Sequence, residues 1–272
     1  MRLCAKNGTI PMEDTTMDYI RFGTGKKNLI MLPGLGDGLR SMKGTALPMG
    51  LMYRKLTQDY TVYAFSRRTG IPKGFTTRDM ARDQKTAMDI LGIEKADLLG
   101  VSMGGMIAQH FAADFPERVG KLVLVVTASQ SNPMMRESLA EWMGQARQGD
   151  HTALMDSNIR RIYSDAYYRK NKWLVPIMGK ITKPKSYDRF LTQAEACLHH
   201  DSFDRLSEIT APTFVIGGEQ DRILGGEPSR EIAAKIPGAK LRMYHQWGHG
   251  LYEEAKDFLD TVQAFLNQEV SQ

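Results

Sequence analysis

The stretch "LLGVSMGG", residues 98–105, sets Ser102 between Gly100 and Gly104 directly after a short apolar run. A strand that passes straight into a helix needs a very tight turn. The residue at that turn is forced into strained backbone angles, and its neighbours must be nearly without side chains. Glycines on both sides meet this need and leave the serine hydroxyl standing above the sheet. The pattern G-x-S-x-G is that of a nucleophile elbow. Glycine-rich turns that happen to hold a serine are also common, so the rest of the chain has to decide.

Around this stretch, short apolar runs alternate with helical segments. "NLIML" (28–32), "TVYAF" (61–65), "DLLGV" (97–101) and "KLVLVV" (121–126) are each closed by turn residues. Continuous apolar runs of this length suit strands buried on both faces of a parallel sheet. A helix is expected from about Arg78 to Leu91, capped by Gly92, and another from Met103 to Asp114, stopped by Pro116. Strand and helix in alternation predict an α/β fold with a doubly wound, mostly parallel sheet. From Gln130 to Leu206 the alternation stops and helical stretches rich in Met, Trp, Tyr, Arg and Lys take over. Strands return at "TFVIGG" (213–218) and "KLRMYH" (240–245). The expected organisation is a core of residues 1–129 and 207–272 with a helical lid, 130–206, inserted between them.

The bulk numbers exclude several function classes. At 272 residues the chain is long enough for one large domain or a domain with an insertion. It is 42% hydrophobic and 25% charged, as a globular protein is, and no apolar run approaches the roughly 20 residues that span a bilayer. Its first residues show no apolar signal core. Cys4 and Cys197 lie far apart in no metal-binding pattern and read as free thiols of a reducing compartment. A cytoplasmic location is expected, with no metal, no cofactor and no membrane span. The net charge of +5 raises nucleic acid or an anionic membrane as partners. The basic residues are spread out, however, and the densest group, between Arg160 and Lys185, carries Asp165 and no nucleic-acid motif. It reads as a solvated helical face.

In an open parallel sheet, functional groups gather outside the carboxyl ends of the strands. Ser102 follows one strand, Glu219 and Asp221 follow "TFVIGG", His249 follows "KLRMYHQW", and "PGLGDG" follows "NLIML". These are the parts of acyl transfer, in the order serine, acid, histidine. A serine hydroxyl needs an imidazole to take its proton, and the imidazole needs a carboxylate to fix its tautomer. Of six histidines, only His249 stands between glycines on a loop after a strand. His110 sits on the helix after the elbow, His151 reads as loop, His199 and His200 fall in the insertion, and His245 ends a strand. Asp221 lies deeper in its loop than its competitor, Glu219. "GLGDGL" fails the G-x-G-x-x-G spacing of a dinucleotide site.

The chain resembles the α/β-hydrolase superfamily over nearly its whole length. "LLGVSMGGMIAQHFAADFPERVGKLVLV", "ITAPTFVIGGEQDRI" and "WGHGLYEEAKDFLDTVQAFL" look like its elbow, acid and histidine segments. The resemblance implies a triad of Ser102, Asp221 and His249, and an oxyanion hole made by the backbone N–H groups of Leu35 and Met103. Many members carry His-Gly before the oxyanion residue, where this chain has Pro33-Gly34. Similar elbows occur in carboxylesterases, enol-lactonases, carbon–carbon bond hydrolases and cofactor-free haloperoxidases; a serine nucleophile argues against haloalkane dehalogenase chemistry. The leading expectation is a hydrolase of a small carboxylic ester or related acyl bond. Acyl transfer or carbon–carbon hydrolysis on the same triad, and a ligand-binding signalling protein with little turnover, are the rivals. The aromatic and Met-rich insertion (Trp142, Met143, Trp173 among others) suggests an apolar substrate part, or the insertion's own packing.

Overall fold

The computed structural model describes residues 3–268. Its eight strands are β1 (Lys6–Pro11), β2 (Thr16–Phe22), β3 (Lys27–Leu32), β4 (Tyr60–Arg68), β5 (Ala96–Val101), β6 (Val119–Val125), β7 (Thr213–Gly218) and β8 (Lys240–Tyr244). They form one sheet in the order β1-β2-β4-β3-β5-β6-β7-β8, with β1 and β8 at its edges. The pairs β1–β2 and β2–β4 are antiparallel; every later pairing is parallel.

Alternate side chains of the central strands enter two different cores. Ile30, Leu98, Leu122 and Leu124 join one apolar cluster, while Leu29, Leu99, Val123 and Val125 join the other. Two covered faces explain why these strands read as unbroken apolar runs. The sequence reading missed β1 and β2. The pairing of β2 with β4 slips between Met17 and Tyr19, and β1 exposes Lys6, Asn7, Thr9 and Pro11, so neither strand presents a clean pattern.

The helices are α1 (Ala46–Met52), α2 (Thr77–Ile90), α3 (Met103–Asp114), α4 (Pro133–Arg147), α5 (His151–Ile162), α6 (Asp165–Asn171), α7 (Val175–Ile181), α8 (Asp188–Leu198), α9 (Glu227–Lys235), α10 (Leu251–Glu254) and α11 (Phe258–Leu266). Thr76 and Asp79 form a capping box at the start of α2, and Gly92, at φ +67°, lets the chain leave it. Helices α4 to α8 fill the segment between β6 and β7. A bridge between Gln130 and Asp201 and the bond from Ser202 N–H to Ser129 O (2.8 Å) tie its two ends together. Met135, Leu139, Trp142, Leu154 and Phe190 pack into the same cluster as one face of the sheet. The insertion therefore shares the core.

The chain runs from β3 to β4 on one side, then steps back across β3 to β5 on the other. This reversal makes the crevice beyond the C-terminal ends of β3 and β5 a topological switch point. Pro33-Gly34-Leu35 leaves β3 there, and Ser102 leaves β5.

Candidate active site

Ser102 has φ +54° and ψ −122°, a conformation that L-residues adopt only under constraint. The constraint is visible. Ser102 N–H donates to Val125 O at 2.9 Å, and Ser102 O accepts from Thr127 Oγ1 and Gly105 N–H, both at 2.8 Å. A Cβ on Gly104 would lie 1.9 Å from Leu32 O, and one on Gly100 would lie 2.6 Å from Gly104 O. Helix α3 thus starts in contact with β3 and β5, and only glycine fits at those two positions.

Asp221 and His249 meet beyond the C-terminal ends of β7 and β8. His249 Nδ1 lies 2.7 Å from Asp221 Oδ2, and both side chains are buried. The other carboxylate oxygen accepts from Ile223 N–H at 2.8 Å and Leu224 N–H at 2.9 Å. A carboxylate only accepts, so Nδ1 carries the proton, and in the neutral ring that leaves Nε2 as the acceptor. The two loops are in backbone contact: Gln220 N–H donates to Trp247 O (3.1 Å), and a Cβ on Gly248 would meet Gln220 O at 2.6 Å. Glu219 points elsewhere. It is bonded to Arg230, and its nearest imidazole is His245 at 3.8 Å, whose side chain is 88% exposed.

Three of the other histidines, His110, His151 and His200, are engaged in packing, and His199 is exposed. His151 is the first residue of α5 and not loop, because Asp150 caps that helix; its buried Nε2 lies 3.0 Å from Thr182 Oγ1. His200 lies between Thr77 Oγ1 and Ser202 Oγ, and its ring meets that of His110 at 5.0 Å. Burial holds His110 down to about 4, and His200 well below its ordinary value.

The loop after β3 passes directly against the elbow. A Cβ on Gly34 would lie 3.4 Å from Ser102 Cβ and 3.9 Å from its Oγ. Leu35 opens a 3₁₀ turn, Leu35–Gly38, and Met103 opens α3. The first N–H of a helix has no acceptor inside it, so both amides are available. The structure thus pairs Asp221 with His249 and sets Gly34-Leu35 beside Ser102. Among the described residues, Ser102 Oγ makes no hydrogen bond to His249. Such bonds are often long in unliganded sites.

Sequence reading missed a buried ionic cluster under this loop. Arg67, at the end of β4, is only 2% exposed, and its Nη2 donates to Pro33 O at 2.5 Å. Its own N–H donates to Asp37 Oδ2 at 3.0 Å, and Arg189 of α8 reaches the same oxygen at 2.6 Å. Burial lowers the Arg67 pKa, with Asp37 opposing that shift. The only signal in the sequence is an arginine closing an apolar strand.

The insertion touches three loops of the site, those after β3, β7 and β8. Beyond the Arg189 contact, Asn132 Nδ2 donates to Leu224 O at 2.7 Å beside Asp221, and Gly250 N–H donates to Ile162 O at 2.7 Å beside His249. Trp142 and Met143 are buried, whereas Trp173 faces solvent. No group of three His, Cys, Asp or Glu side chains among the described residues could hold a metal ion, and no helix there is long and apolar enough to cross a membrane.

Residues 27–256 match the alpha/beta hydrolase fold family. The chain belongs to the α/β-hydrolase family. It is 30% identical to a 2-hydroxy-6-oxononadienedioate/2-hydroxy-6-oxononatrienedioate hydrolase of Burkholderia vietnamiensis, over 94% of each chain. A 2-hydroxy-6-oxo-6-phenylhexa-2,4-dienoate hydrolase of Comamonas testosteroni is 31% identical over 69% of this α/β hydrolase and 68% of that enzyme. The enol-lactonase of Burkholderia xenovorans shares the fold, with a TM-score of 0.81 at 23% identity over 96% of this chain and 100% of that one.

Proposed function

We propose that this α/β hydrolase cleaves a small carboxylic ester or lactone through an acyl-enzyme on Ser102. The observation that carries the proposal is the Asp221–His249 contact of 2.7 Å, placed on the same sheet edge as the strained Ser102. With Nδ1–H held by Asp221, His249 Nε2 takes the Ser102 proton as Oγ attacks the acyl carbon. The N–H groups of Leu35 and Met103 stabilise the oxyanion of the tetrahedral intermediate. His249 then gives its proton to the departing alkoxide, and water, activated the same way, releases the acid. Residues 130–206 act as a lid over this edge, a reading supported by their contacts to all three loops.

The printed activities of the curated relatives favour a second reading, hydrolysis of a carbon–carbon bond beside a ketone. The acyl-enzyme is the same; the leaving group differs. An alkoxide needs only the proton from His249, whereas carbon must leave as a stabilised carbanion.

The test is a turnover panel of p-nitrophenyl esters, small lactones and a 2-hydroxy-6-oxo-dienoate, run on the native chain and on Ser102→Ala. Ester or lactone turnover that disappears in Ser102→Ala supports the first reading. Consumption of the dienoate alone transfers support to the second. A fluorophosphonate adduct on a residue other than Ser102 overturns both.

A further inference from the structure

Helix α7 is covered on one side only. Val175 and Gly179 are buried against α5, where a Cβ at 179 would lie 2.6 Å from Thr152 Oγ1. The outer side carries Ile177, Met178 and Ile181 (75% exposed), and the 3₁₀ turn that leads into the helix, Lys172–Leu174, adds Trp173 (66% exposed). Trp173, Ile177 and Ile181 are spaced by four and form one row. Four of the ten large exposed apolar side chains among the described residues thus fall within nine positions, which single scattered residues would not do.

A ring of cations frames the row. Arg169, Lys170 and Lys172 precede it, Lys180 stands just before its last member, and Lys183 and Lys185 follow. All six are exposed, none makes an ion pair among the described residues, and no acid occurs from 169 to 186. Neighbouring carboxylates are engaged elsewhere: Asp165 pairs with Arg222 at 2.7 Å and Asp156 with Arg160 at 2.6 Å, while Asp150 accepts from Ala153 N–H and Asp188 from Ser186 Oγ.

We propose that this face of α7 docks reversibly on an anionic lipid surface. An apolar ridge with an indole at one end, bordered by lysines, is the pattern of a helix lying in the plane of a bilayer interface. The ridge enters the boundary between headgroups and chains, and the cations meet the lipid phosphates and carboxylates. A second copy of the chain is a poor occupant, because a two-fold contact sets six cations against six. Nucleic acid would answer the cations and leave the apolar row against water. Docking this way involves neither Ser102 nor His249, so it stands apart from the hydrolase proposal.

The test is co-sedimentation of the full chain with vesicles. With equal parts phosphatidylcholine and phosphatidylserine at low salt, the chain is expected to pellet; with phosphatidylcholine alone, or at high salt, it stays in solution. Lys180→Gln, Lys183→Gln and Lys185→Gln combined should weaken binding by about fivefold per lysine removed. Ile177→Asp with Ile181→Asp should abolish it at unchanged melting temperature. Brominated lipid should quench the native protein more than Trp173→Phe. Equal binding to both vesicle types, or anionic binding that ignores both sets of substitutions, overturns the proposal. So does a dimer in sedimentation velocity that Ile181→Asp dissolves while vesicles pellet nothing.

Discussion

Arg67 holds the carbonyl of Pro33, with 2.5 Å between Nη2 and O. That carbonyl shares its peptide plane with Gly34 N–H, and Gly34 lies against Ser102. The loop with Pro33 in place of histidine is therefore held by a buried guanidinium, and the Arg67 backbone is fixed in turn by Asp37, which accepts from its N–H, and by Arg189, which donates to its carbonyl. Arg67→Met should slow fluorophosphonate labelling of Ser102 by about tenfold to a hundredfold, part of what one lost oxyanion donor costs. Arg67→Lys should recover some of that rate. Equal labelling rates for the Met variant and the native chain, at equal melting temperature, would remove Arg67 from any role in the site.

Leu35 offers a clean deletion of a backbone donor. It is the first residue of its 3₁₀ turn, a position that tolerates proline, and Gly34 before it is extended (φ −71°, ψ −167°), as a residue preceding proline must be. Leu35→Pro should therefore keep the turn and lose only the N–H. A loss of about 2.7–4 kcal/mol in transition-state stabilisation is expected, against little change for Leu35→Ala. Comparing kcat/KM for the two variants decides whether this amide is a donor.

The two acids of one loop should respond very differently. Asp221→Asn should lower kcat by up to ~10⁴, since an amide favours the wrong imidazole tautomer. Glu219→Gln should leave kcat near the native value, because its partner is Arg230 at the surface. The reverse ranking would mean that the acid has been misassigned.

Acid should destabilise the fold through its buried histidines. Burial lowers His110 from an ordinary 6.5 to about 4, with Asp114 and Asp201 opposing and Arg205 and Arg78 reinforcing the shift. His200, whose ring meets that of His110, is lowered as well. Between about pH 6.5 and 4 the unfolded chain binds protons that the folded chain refuses, so stability falls as pH drops. For His110 alone the loss is on the order of 3 kcal/mol. Urea midpoints of the native chain should fall between pH 7 and pH 5, and those of His110→Gln should fall less. Parallel lines for the two proteins would dismiss the effect.

How much of this was legible follows from where each signal lies. The central strands announce themselves because side chains such as Leu98 and Leu99 are buried on opposite faces, leaving no polar alternation to confuse the reading. The elbow is legible because Gly100 and Gly104 are demanded by contacts that follow from a strand meeting a helix. The first hairpin is not, since β1 is mostly exposed and the slip of β2 against β4 breaks the period of two that a half-covered strand displays. Nor is the cluster of Asp37, Arg67 and Arg189, which unites three distant segments that only the folded chain brings together. The aromatic residues of the insertion looked alike in sequence; burial separates Trp142 from Trp173 because α4 packs inward while the 3₁₀ turn before α7 faces outward.

The edges of the sheet bear on how the protein behaves when crowded. An unpaired strand is a template for the next molecule's backbone. At β8 that template is guarded by Lys240, held by Gln268 at 2.7 Å, and Arg242, held by Asp257 at 2.5 Å, so the charges stay at the border. At β1 the guard is Lys6 at one end and Pro11, which has no N–H to offer, at the other. Both margins oppose the strand-on-strand growth that leads to aggregation.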